Sequence, residues 1–292
     1  MKNFLILILI VLFSVGCGGS DKARIAELEK LVDQINSSGK ITDQQAEGLS
    51  KVKGVLRLNG LTSITDKQAE SLSKAKSGLE LNGFTSITDL QAESLSNVEE
   101  LSLNGLTSIT DQQAESLSKV KNVELKGLTS LTDKQWGSLS KVATLGLDGF
   151  ASITDQQAES LSKARWLDLS GLTSITDKQA ETLSKVSILK LNGLAKITEQ
   201  QAESLRKVES LALDGLTSIT NQQAEILCKV KINLHLNGLP SITDEQAEIL
   251  SKVESLALNG LTKITDAQAK SLAKVEYLQI SKDCFKQIDK FK

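Results

Sequence analysis

Residues Leu101–Asn122 read LSLNGLTSITDQQAESLSKVKN, and this pattern returns through most of the chain. The marker Ile-Thr-Asp, or a close variant, begins at residues 41, 64, 87, 109, 131, 153, 175, 197, 219, 242 and 264. Seven of the ten intervals are 22 residues and three are 23. A fixed period of this size belongs to a stacked chain, because one such unit buries too little apolar surface to offset its ordering entropy.

Within the quoted unit, Leu101 and Leu103 alternate with Ser102 and Asn104, the pattern of a short strand with one buried face. Asn104-Gly105 ends the strand; a Gly kept at this place in ten copies points to a positive φ or to close backbone approach. Thr110 and Gln113 have the spacing of a capping box, repeated in all eleven copies. Ile109 and Ala114 form a hydrophobic staple, and Asp111 places an acid where the helix dipole favours it. Ala114, Leu117 and Val120 then give the helix its inner stripe, and Glu115 and Lys119 an i,i+4 pair. Each repeat is therefore expected to be strand, turn, bend and capped helix.

The 292 residues carry 34 Lys and Arg against 36 Asp and Glu, with 3% aromatics. This balance argues against a nucleic-acid partner, which needs a basic face. So few aromatics also argue against one large globular core.

Lys2, the apolar run Phe4–Phe13 and Ser-Val-Gly before Cys17 read as a targeting segment, too short to span a bilayer. Val15-Gly16-Cys17 resembles the lipobox of bacterial lipoproteins. The resemblance implies that Cys17 is lipidated, that residues 1–16 are removed, and that Gly18 permits export to the outer membrane. The expected address is therefore the bacterial cell envelope. Residues 17–40 supply the lipidated Cys, a flexible tether and a capping helix from Asp21 to Ile35, with Ile25, Leu28, Val32 and Ile35 in a/d spacing. A short coiled coil is the competing reading of that spacing, although two heptads favour a monomer with a cap.

The unit Val253–Lys274 resembles leucine-rich repeats, nearest to the cysteine-containing subtype, with Leu261 where that subtype has Cys. The resemblance implies an α/β solenoid of horseshoe type over residues 41–281, about eleven repeats long, with a parallel sheet on the concave face and short helices on the convex face. Extra residues near Gly54, Gly78 and Ile232 fall before strands, where a loop can absorb them without losing the inward register. Residues 282–292 are read as a C-terminal cap, with Phe285, Ile288 and Phe291 covering the last repeat.

A search for chemistry returns no phosphate loop, nucleophile elbow or metal-spaced Cys/His set, so neither enzyme activity nor a cofactor or metal is expected. His235 reads as a surface residue, and Cys228 and Cys284 as separate free thiols. The helix-start explanation accounts for the repeated Asp residues better than a calcium ladder does. The outward strand position varies strongly: Arg57, Glu80, Ser102, Glu124, Gly146, Asp168, Lys190, Ala212, His235, Ala257 and Gln279. The helix surface repeats almost unchanged, exposed Ser116 and Ser118 included, and this asymmetry favours the concave face as a protein-binding surface. Its candidate residues are Asp148, Trp166, Asp168, Ile188 and Lys190, an aromatic anchor rimmed by charges. The other reading is a structural or adhesive envelope spacer without a discrete site.

Overall fold

The structure is a computed structural model that describes residues 21–75 and 78–291, with only the backbone of 21–24. The expected targeting segment 1–16, Cys17 and residues 18–20 lie outside the described residues. The chain falls into two compact units that divide after Gly146.

The first unit contains strands β1 (Leu56–Arg57), β2 (Gly78–Glu80), β3 (Glu100–Ser102), β4 (Asn122–Glu124) and β5 (Thr144–Gly146), parallel and paired in chain order. The second contains β6 (Trp166–Asp168), β7 (Ile188–Lys190), β8 (Ser210–Ala212), β9 (Asn233–His235), β10 (Ser255–Leu258) and β11 (Tyr277–Ile280), paired the same way. Each strand places its inward residue against its neighbour's, as in Leu101 with Val123 and Leu189 with Leu211. The 23-residue steps keep this register, Leu56 meeting Leu79 and Leu211 meeting Leu234. A one-residue slip would have turned every buried Leu to solvent, so the extra residue stays in the loop, where Ile232 is exposed.

Seven-residue helices such as Asp111–Leu117 follow the strands; their inner residues Ala114 and Leu117, and Val120 beyond the helix end, are buried, as are Leu103 and Leu106. All eleven repeat helices start with a complete capping box, from Thr42/Gln45 to Thr265/Gln268. Gln113 does more than cap. Its Oε1 accepts from Thr110 N at 2.9 Å, while its Nε2 donates to the carbonyl of Ile87, one repeat earlier, at 2.8 Å. Glu could serve the cap but has no proton for that carbonyl, which is why the box uses Gln. Asp89 is likewise shared, its Oδ1 accepting from Thr110 Oγ1 at 2.9 Å.

The turn glycine is decided by close approach. Gly105 has an ordinary φ, but a Cβ there would sit 2.4 Å from the carbonyl oxygen of Asn82 and 2.5 Å from that of Phe84. Positive φ occurs instead at Gly39 and Gly54, outside the repeated turn.

The two ends differ from expectation. The N-terminal helix runs Asp21–Ser38, and of its a/d residues only Ile35 is fully buried, at 1% exposure. Asn36 docks it on the first repeat, donating to Arg57 O and accepting from Gly60 N, both at 2.9 Å. At the other end the helix Lys282–Ile288 buries Cys284 and Ile288, whereas Phe285 and Phe291 are exposed. The buried pair is spaced by four, so the covering stripe passes through Cys284 and not through the phenylalanines.

Candidate binding face on the strands

The asymmetry between the two surfaces has a structural component. Ser116 is 1% exposed, packed in the helix layer, and Ser118 is the C-cap residue, its Oγ donating to Glu115 O at 2.7 Å. The same bond recurs at Ser50, Ser96, Ser184 and Ser251. Uniformity on the helix side thus follows from close packing at Ser116 and, at the other positions, from caps and inter-repeat bonds. The Asp carboxylates there are engaged too, Asp111 with Thr132 Oγ1 at 3.2 Å and with Lys134 Nζ at 3.4 Å. These partners account for the repeated acids without a metal.

Four of the five candidate residues form two cross-strand pairs in register: Trp166 with Ile188, and Asp168 with Lys190. Lys190 Nζ lies 3.6 Å from Asp168 Oδ2 and 4.9 Å from the centre of the Trp166 ring, a combined ion pair and cation–π contact. Asp168 is 5% exposed and accepts at Oδ1 from both the N–H and the hydroxyl of Ser170. Its carboxylate is therefore spent inside the protein. Trp166, Ile188 and Lys190 remain half-buried and face the outside.

Asp148 belongs to a different row, the residue just before the turn glycine. At that position Asn192, Asp214 and Asn237 each accept the N–H of their counterpart in the next repeat, at 3.0, 3.0 and 2.9 Å. Ser170 interrupts this ladder, its side chain turned to Asp168. Asp148 is half-buried.

Beside the cluster lies a shallow open depression lined by Ile188, Lys190, Ser210, Ala212, Asn233 and His235. Ala212 forms its floor because a methyl group there stands between the longer Lys190 and His235 on neighbouring strands. Asn233 Nδ2 donates to Ser210 Oγ at 2.9 Å along one wall. From its sequence position alone His235 reads as an ordinary surface residue, and the hollow is not visible. The signal was present, since a small residue between two long ones on adjacent strands leaves a gap.

The face of the first unit is chemically different. Arg57 pairs with Glu80 at 2.9 Å, Asn122 donates to Glu100 at 3.1 Å, and Ser102 and Asn104 both donate to Glu124. Trp136, in place of the usual Ala, is buried in the core of that unit and takes no part in the face. Cys228 is half-buried and free, and burial pushes its thiol pKa up. Among the described residues no group of His, Cys, Asp or Glu could hold a metal ion, and no helix is long and apolar enough to cross a membrane.

Comparison with known proteins places this architecture. No protein-family profile matches the sequence, and no curated relative matches it either. The leucine-rich-repeat-containing protein LegL7 from Legionella pneumophila is similar in backbone, with a TM-score of 0.55 at 16% identity over 82% of this chain and 90% of that one. A chain of the Toll–Spatzle complex from Drosophila aligns with a TM-score of 0.50 at 14% identity, over 80% of this chain. This chain spans 38% of that one's length. At these identities the likeness is one of fold: the protein is a leucine-rich-repeat solenoid.

Proposed function

We propose that the protein is a lipid-anchored binding module of the bacterial envelope, holding a protein ligand on the outer strand face of its second unit. The leucine-rich-repeat fold is a scaffold for protein interaction in general. The observation that carries the finer reading is the juxtaposition at β6–β9: an aromatic ring and a lysine beside an open depression walled by His235. In the first unit the outward side chains Arg57, Glu80, Ser102 and Glu124 are occupied with bonds between repeats. Trp166 supplies rigid contact area, Lys190 keeps donors beyond its bond to Asp168, and the hollow admits a side chain from the partner. Envelope location rests on the lipobox at Cys17.

The test is capture of envelope proteins by the full chain, comparing the parent with a Trp166→Ala/Lys190→Ala/Ala212→Trp variant that removes the anchor and fills the hollow. Loss of one reproducible protein partner supports the site; unchanged capture removes it. Metabolic lipid labelling that persists in Cys17→Ala would remove the anchor.

A further inference from the structure

Six of the ten turn glycines follow an asparagine, at Asn59, Asn82, Asn104, Asn192, Asn237 and Asn259. Asn-Gly is open to one covalent change in particular, because glycine has no Cβ to keep its backbone nitrogen from the preceding side-chain amide. Six copies of one dipeptide in one repeated turn should react alike unless stacking treats them differently.

Five of them are held. The side-chain oxygen of each accepts a backbone N–H of the next repeat: Asn59 from Asn82 at 3.1 Å, Asn82 from Asn104 at 2.9 Å, Asn104 from Lys126 at 3.0 Å, Asn192 from Asp214 at 3.0 Å and Asn237 from Asn259 at 2.9 Å. To react, the amide must turn onto its own glycine nitrogen, so each of these bonds has to open first. At Asn59 the nucleophile is occupied as well, since Gly60 N–H donates to Asn36 Oδ1 at 2.9 Å.

Asn259 is left out of this ladder. Leu258 pairs in register with Ile280, so the residue placed to donate to Asn259 is Ser281. There the chain enters the helix Lys282–Ile288, and Ser281 Oγ donates to Leu261 O at 2.6 Å. Among the described residues no group donates to Asn259 Oδ1, and none accepts from Gly260 N–H. The Asn259 side chain keeps one bond, from Nδ2 to Asn237 Oδ1 at 2.9 Å. That bond joins two side chains and has no fixed backbone partner. Asn259 is also exposed, whereas Asn192, which likewise has one side-chain bond, is half-buried.

We propose that Asn259–Gly260 is a self-modification site, at which the folded chain converts its own asparagine to aspartate and isoaspartate. Gly260 N gives its proton to solvent base and attacks Cγ of Asn259. The N–Cγ bond forms, the Cγ–Nδ2 bond breaks, and Nδ2 leaves as ammonia with a proton from water. Water then opens the cyclic imide. Cleavage of the new N–Cγ bond yields aspartate; cleavage between Gly260 N and the main-chain carbonyl carbon yields isoaspartate, with an extra methylene in the main chain. Neither route needs an oxidant or a reductant. The aspartate form suits the turn, since Asp214 stands at this position in another copy and its Oδ1 accepts from Asn237 N at 3.0 Å. The isoaspartate form lengthens a turn so tight that a Cβ on Gly260 would lie 2.1 Å from Asn237 O.

The test is peptide mapping of the full chain in detergent, sampled over time in warm, mildly alkaline buffer. In the folded chain Asn259 should convert about five- to tenfold faster than any of the other five, the factor expected from opening one hydrogen bond. In urea, where the stacking is lost, all six should convert at similar rates. Asn259→Asp should remove the fast phase of ammonia release from the folded chain. Conversion of Asn259 no faster than that of Asn192 overturns the proposal. So does a ranking that persists unchanged in urea, which would assign the rates to neighbouring sequence, and so does a fast phase that survives Asn259→Asp.

Discussion

The helix starts and the outer strand face share one period, yet they differ in what each position must do. Thr and Gln at a helix start each bond both to their own helix and to the repeat before it, and Asp bonds to the Thr of the next repeat, as Thr110, Gln113 and Asp89 illustrate. A change at the Thr or the Gln breaks two connections at once. On the strand face of the second unit, the side chains of Trp166, Ile188 and His235 take no part in the backbone bonds that join the strands. Their identities are free to vary, and that freedom is what a binding surface needs. Constancy on the helix side is therefore a record of stacking, whereas the strand side is left free to vary.

Substitutions can break or sharpen this contrast. The largest effect is expected at Gly105→Ala, whose new methyl group meets two backbone carbonyls at 2.4 and 2.5 Å. Backbone cannot yield as a side chain does, so a loss of about 3 kcal/mol is expected in denaturant unfolding; a loss as small as that of a surface change would show that the turn is slack. Next comes Gln113→Glu, which keeps the cap acceptor but sets a buried carboxylate against Ile87 O. It should cost about 2–3 kcal/mol at neutral pH. Part of that cost should return in acid, where a protonated Glu can donate again.

Ser118→Ala removes one exposed cap bond and should cost about 0.5–1 kcal/mol. Trp166→Ala should stay within about 1 kcal/mol in the same measurement while weakening ligand capture. A larger stability loss would mean that the tryptophan serves packing, and the contrast between the faces would fail at its main example.

The smallest effect is electrostatic. Hydrogen bonds from Lys67 and then from Gln68 hold the Asp43 carboxyl below its ordinary pKa. A lowered folded pKa adds stability above the unfolded value and gives it up as pH falls through the folded one. Comparing thermal midpoints of the parent and Asp43→Asn from pH 6 down to pH 2, the gap should narrow below about pH 4. It should also narrow with salt, since Lys67 and Asp43 are solvated and lie 3.0 Å apart.

Much of the repeat was legible because its signals are local. The capping box spans four residues and the strand alternates within four, so neighbours in sequence suffice to recognise both. The second bond made by Gln113 was not legible, since its acceptor lies 26 residues away. For the same reason Ser116 and Ser118 read as exposed and unexplained, although one is packed and the other caps. Phe285 and Phe291 misled in the opposite sense, since aromatic spacing says which residues share a face but not which face meets the core. At the candidate site, the Trp166–Lys190 pair followed from counting repeats, whereas the depression required knowing that Ala212 lies between Lys190 and His235.

By itself the sequence determined the unit, its number of copies, the strand register and the start of every repeat helix, because each depends on periodicity or on bonds within a few residues. Only the tertiary structure decided why the turn must be Gly and the cap Gln, and which residues line the hollow. Those answers depend on atoms one repeat apart, and stacking alone brings them within bonding distance.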